Sequence, residues 1–249
     1  MTRAILNLVA LTVTILINFL ANALPLNGKT TGEISDSFAV FFVPAGYAFS
    51  IWGLIYLGLL AYAVYQLLPP QRNDPALRSI DTFFLVSCAA NILWLFLWHY
   101  ELFVLTLLAM IVLLLSLIAI YLRLDINRAP VSGTFKWLVH RPFSIYLGWI
   151  TVATIVNVTV VLDDLKWGGW GVSPEVWTVI VLITGAAIAG VVLFQRRDLA
   201  YGLVILWAYI AVAIKNTGVP LVGTATVIAS VLVAALLLGT LLRPGVAKL

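Results

Sequence analysis

Phe49, Trp52 and Tyr56 interrupt the greasy stretch AGYAFSIWGLIYLG, residues 45–58, at spacings of three and four. On a helix those spacings place all three rings on one face. Two other segments repeat the pattern. NILWLFLW puts Asn91, Trp94 and Trp98 on one face, and YLGWITVATIVN does the same for Trp149, Ala153 and Asn157, with Tyr146 just upstream. Indole N–H groups and amides in hydrocarbon must find partners, so these faces are expected to point inward. Taken singly, each is explained by interhelical hydrogen bonding or by interfacial anchoring. Three faces of the same chemistry point to a pocket walled by aromatics. Such a pocket suits a flat, mostly apolar ligand, held by stacking and a few amide hydrogen bonds. For Tyr56, two turns inside its span, Asn91 and Asn157 are the expected hydroxyl partners.

The elements that position these faces follow from composition. The chain has 249 residues, 63% of them hydrophobic and 10% charged, which no soluble domain of this length could hide. Apolar runs of about 20 residues cross a bilayer as helices rather than barrel strands. Eight runs qualify, at 4–24, 46–68, 80–99, 102–122, 142–162, 174–195, 199–215 and 219–242. The expected fold is therefore all-α, with about eight transmembrane helices. Only HYE separates the third and fourth spans, so they form a tight hairpin.

Charge tests that count. Eight crossings place 11 of the 14 lysines and arginines, from Arg3 to Lys248, on the side of both termini; Lys29, Lys166 and Lys215 fall opposite. The positive-inside rule then makes both termini cytoplasmic, and the inner cell membrane is the expected location. The basic excess is accordingly a topology signal, and no nucleic-acid partner is expected. The start, MTRAILNLVALTVTILINFLANA, also imitates a signal peptide ending at Ala21-Asn22-Ala23, but its apolar stretch is long for one.

Several classes lose support. Asp81, Glu101 and Glu175 are read as opening helices and Lys215 as closing one, which leaves no charge at mid-membrane for an ion pump or a charge-selective pore. Cys88, the single cysteine, reads as a small packing residue. His99, in the hairpin turn, and His140, beside Arg141, both read as solvated. His99 with Glu101 is the one pairing that could support catalysis at that face. No nucleophile triad, metal-spaced cluster or phosphate-cradling loop accompanies it, so the chain reads as non-enzymatic with no required cofactor.

The joint spacing Pro44-x(7)-Trp52-x(3)-Tyr56, Asn91-x(2)-Trp94 and Tyr146-Leu147-x-Trp149-x(3)-Ala153-x(3)-Asn157 resembles the translocator proteins, the tryptophan-rich sensory (TspO/MBR) family. The resemblance covers residues 1–162. It implies an N-terminal five-helix bundle, residues 1–166, with three further helices in 167–249. It also implies a pocket under the loop of residues 25–45, a porphyrin or haem as ligand, and a homodimer. Three departures stand out. A single proline, Pro44, precedes the second helix, and Trp94 to Tyr100 lacks the family's glycine. VTVVLDDLKW, after Asn157, has no tyrosine for a sterol motif. The last three helices lie outside the five-helix pattern. WAYIAVAIKN (207–216) faintly echoes WITVATIVN, repeating Trp149 and Ala153 as Trp207 and Ala211. Two functional readings stand at this point. One is a binding or sensory protein for a tetrapyrrole-like molecule; the other is a small-molecule transporter using all eight helices.

Overall fold

The computed structural model describes residues 1–24 and 26–243. Lys248, counted above among the basic residues, lies outside them. Eight long helices account for the eight apolar runs: α1 (Thr2–Ala23), α2 (Ile51–Tyr65), α3 (Pro75–His99), α4 (Phe103–Arg123), α5 (Arg141–Asp164), α6 (Pro174–Arg196), α7 (Leu199–Lys215) and α8 (Pro220–Leu242). Seven of these segments are long and apolar enough to cross a membrane, and α7, at 17 residues, is shorter. The protein is an all-α integral membrane protein.

Local chemistry sets the helix ends. Asp74 caps α3 by accepting from the backbone N–H groups of Ala76 and Leu77, with Pro75 at the first helical position. Ser173 caps α6 in the same way, ahead of Pro174. Because α3 starts at Pro75 rather than residue 80, Asp81 lies in its second turn. It is buried there and accepts from Asn7 Nδ2 at 2.8 Å, rather than opening the helix at the headgroups. The segment before α5 is not a free loop either. Gly133–Phe135 and the wider π turn Lys136–His140 wind directly into α5. His140 is therefore buried against Phe135, edge to face at 5.4 Å, instead of solvated as its basic neighbours implied.

α5 is the axis of the molecule, packing against α2, α4 and α7, while α3 pairs with α4 and α1. Its apolar window is 61% buried, against 28% for α1 and for α8 at the periphery. The α5–α7 crossing is close because Gly148 faces Val204 and the Tyr201 carbonyl, where a Cβ would sit 3.1–3.2 Å from them. At the α6–α7 crossing Gly185 meets the Tyr209 hydroxyl, which a Cβ would overlap at 2.4 Å. Small residues let membrane helices approach in this way. The outward faces carry exposed Leu6, Val9, Leu57, Leu108, Val231 and Leu238, which only lipid can cover.

Contacts sort the connections onto two faces. On one, Lys29 pairs with Glu101 at 2.6 Å and Lys215 with Asp36. On the other, Arg196 pairs with Asp125, Arg123 donates to the Ser79 carbonyl, and Arg128 to that of Gln195. α7 reaches both, from Asp198 beside Tyr121 to Lys215 beside Asp36. Eight crossings are thus the expected topology. Reporter fusions after Lys248 and within residues 163–172 should report opposite sides of the membrane; the same side for both would contradict it.

Candidate functional site: an aromatic cavity under the first loop

α2, α3 and α5 bring their aromatic faces together at the end of the bundle where the first loop crosses it. Phe49 stands in the 3₁₀ turn Gly46–Ser50 that leads into α2, and Trp52 in that helix's first turn. Phe49 meets Trp149 edge-on at 5.8 Å, while Trp52 meets Trp149 at 6.4 Å and Tyr146 at 6.0 Å. Trp94 stacks on Trp98 at 5.2 Å with their planes 22° apart. Phe49, Trp52, Trp94, Trp98, Trp149, Ala153 and Asn157 line one cavity, with Met110 from α4 and Thr31, Ser35 and Pro44 from the loop. Its volume is about 40 Å³. That is little more than one water's share of about 30 Å³, against roughly 300–1,000 Å³ for small-molecule pockets. The walls are in place and the space between them is closed.

Tyr56, Asn91 and Tyr146 do not line the cavity. Tyr56 stacks on Trp52 at 5.4 Å, and its buried hydroxyl has no hydrogen-bond partner among the described residues. The two asparagines expected to receive it are engaged elsewhere. Asn91 accepts from Asn18 at 2.8 Å and donates to the Tyr146 hydroxyl at 3.2 Å, tying α1, α3 and α5 together. Asn157 accepts from Trp94 Nε1 at 3.2 Å and donates to Thr106 Oγ1 at 2.8 Å, which links α3, α5 and α4. These bonds fix the planes of the cavity walls. One polar group at the cavity is left over: the hydroxyl of Ser35, buried and without a partner among the described residues.

The roof is the loop between α1 and α2. Its short helix, Thr31–Asp36, is closed by a capping box: Thr30 accepts from the Glu33 N–H, and Glu33 accepts from that of Thr30 at 2.7 Å. The hydrogen bonds from the Thr30 backbone and hydroxyl hold the Glu33 carboxyl below its ordinary range. This support is present above the usual carboxylate range and is lost as pH falls through the lowered value.

Two sets of contacts pin the roof. His99 is 1% exposed, and its ring lies between the Leu26 carbonyl and Thr31 Oγ1, each at 3.1 Å. The solvated reading of His99 fails because the loop folds over the hairpin and engages both ring nitrogens. Trp98 Nε1 donates to the Thr31 carbonyl at 3.2 Å and Asn27 to the His99 carbonyl at 3.0 Å. The second set comes from α7 and its C-terminal end. Asn216 donates to the Phe41 carbonyl at 2.9 Å, Trp207 Nε1 to that of Ala48 at 3.2 Å, and the Ala45 N–H to that of Ala211 at 3.2 Å. Trp207 and Ala211, which echo Trp149 and Ala153 in sequence, therefore hold the roof of the cavity instead of building another.

The described residues hold no group of three or more histidine, cysteine, aspartate or glutamate side chains placed to bind a metal ion. A roofed aromatic cavity between membrane helices defines the class: a membrane-embedded protein whose interior site is built for apolar contact. A family model described as TSPO-like protein matches residues 4–240, and the chain belongs to that family. The match runs on through α6, α7 and α8, well past residue 162 where the motif resemblance ends. No curated protein and no solved structure matches the chain.

Proposed function

We propose that this protein binds a flat, mostly apolar ligand of the tetrapyrrole class in the cavity beneath the first loop, as a binding or sensory protein. The observation that carries the reading is the convergence of five aromatic side chains from α2, α3 and α5 on one cavity with a single unpaired hydroxyl, Ser35. Stacking supplies the affinity and the hydroxyl one point of orientation. Residues 1–166 hold the walls, and residues 167–249 form an added region that contributes roof contacts through α7.

The closed cavity sets the mechanism of uptake. A porphyrin enters only when the loop lifts and the indoles turn aside, so the roof contacts oppose entry. A buried amide hydrogen bond contributes about 1 kcal/mol, a factor of roughly five in a two-state population. Asn216→Ala removes the bond to Phe41 and is expected to speed protoporphyrin IX association roughly fivefold. Stopped-flow tryptophan quenching on the purified protein reads this directly. An unchanged association rate would show that the loop does not gate the cavity. Equilibrium titrations with protoporphyrin IX, haem and a sterol test the ligand class; the reading expects the two tetrapyrroles to bind and the sterol to bind weakly.

A further inference from the structure

A second cavity opens at the arginine-rich face, at the opposite end of α2 and α3 from the aromatic site. Its volume is about 240 Å³. It lies between the start of α1, the end of α2, the turn at Gln71–Asn73 and the first turns of α3. Arg3, Arg72 and Arg78 line it, with Asp81 as the one acidic side chain. Asp81 is partly neutralised in place, since Asn7 donates to its Oδ1 at 2.8 Å and Arg3 approaches its Oδ2 at 3.9 Å. Three guanidinium groups against one engaged carboxylate leave the cavity cationic.

An independent observation points to a ligand. Gln66 also lines this cavity, is 3% exposed, and has its Oε1 taken by Asn7 at 3.0 Å. Its Nε2 has no hydrogen-bond partner among the described residues. A buried N–H donor without an acceptor costs free energy, and an acceptor in the cavity would recover it. Guanidinium groups and an amide donor, with no aromatic wall, specify a compact oxygen anion. The volume is below the roughly 300 Å³ at which drug-sized ligands begin.

We propose that this cavity is a binding site for a phosphate-bearing anion, supplied either by an anionic lipid headgroup or as free phosphate. Arg72 and Arg78 provide the charge and Gln66 Nε2 the buried hydrogen bond. Basic pockets between membrane helices are suited to headgroup phosphates by the same chemistry.

The full-length protein in detergent is titrated with phosphatidylglycerol in one arm and inorganic phosphate in the other, with binding followed by native mass spectrometry. Phosphatidylglycerol is expected to bind in preference to phosphatidylcholine, and Arg78→Gln to weaken it about tenfold. Arg72→Gln, on an exposed turn, is expected to weaken it severalfold, and it keeps the test informative should Arg78→Gln fold poorly. Binding in the phosphate arm, with the same losses, would assign the site to the free anion. Equal binding by parent and both variants, or no preference for an anion in either arm, would overturn the proposal. Quenching by protoporphyrin IX at the aromatic cavity should be unaffected by either substitution, which separates this result from the fate of the other site.

Discussion

Replacing Asp198 by alanine is expected to lower the stability of the protein by about 3 kcal/mol. Asp198 sits in the tight turn between α6 and α7, where Arg197 takes a left-handed conformation, and is 1% exposed. Its Oδ2 accepts from the Tyr121 hydroxyl of α4 at 2.9 Å and from the Ser144 hydroxyl of α5 at 2.6 Å. Its Oδ1 caps α7 by accepting from the Tyr201 N–H at 3.3 Å. One carboxylate thus joins the wall helices to the helix that holds the roof. Alanine removes the acceptor and strands two buried hydroxyls, each costing about 1–3 kcal/mol, and it also removes a cap contributing about 1 kcal/mol. The sum is bounded by relaxation of Tyr121 toward other acceptors. A loss of about 3 kcal/mol lowers the melting temperature by roughly 6–12 °C in a chain of this size. Asp198→Asn, which keeps an acceptor and the shape, should retain most of the stability. Circular dichroism melts in detergent distinguish these outcomes. An alanine variant that melts with the parent would show that the turn does not secure α7 to α4 and α5.

Asp198 illustrates what could not be read from the chain. In QRRDLAY it looks like one more polar residue in a turn, and nothing local announces that Tyr121 and Ser144 will reach it from 77 and 54 residues away. His99, Asn18 and Trp207 were hidden for the same reason. Their partners come from the first loop, α3 and the approach to α2, and the pairing depends on how helices rotate against one another. By contrast, the helices themselves were legible, because apolar runs of about 20 residues have one stable form in a bilayer. Spacings of three and four also put the walls of the cavity in the right places, since these report a shared face without knowledge of the neighbours. Where the stripe reasoning failed, it did so over partners. Tyr56 follows Trp52 by one turn as expected, but its hydroxyl did not meet Asn91 or Asn157, because both amides were already bonded to Tyr146, Asn18, Trp94 and Thr106. The α3 boundary moved for a simpler reason. Asp74-Pro75 is a capping pair, and it starts the helix ahead of the apolar run.

The second large effect concerns the cavity itself. Trp52 and Trp149 are its two indoles in mutual contact, and a flat ligand that enters must replace that contact with its own stacking on both rings. Each ring pair contributes about 0.5–1.5 kcal/mol beyond area burial. Trp52→Leu alone should therefore weaken a flat aromatic ligand by roughly three- to tenfold, and the double variant by roughly tenfold to a hundredfold. Leucine keeps both positions apolar, and neither indole is recorded donating a hydrogen bond, so insertion and folding should be spared. The most direct test of an aromatic binding site is a fluorescence titration of the parent and the Trp52→Leu/Trp149→Leu protein with protoporphyrin IX, following the remaining tryptophans and the porphyrin emission. The account predicts a dissociation constant raised at least tenfold in the double variant, with the melting temperature little changed. Equal affinity in a folded double variant would contradict it and reduce the stripe of Phe49, Trp52 and Tyr56 to packing.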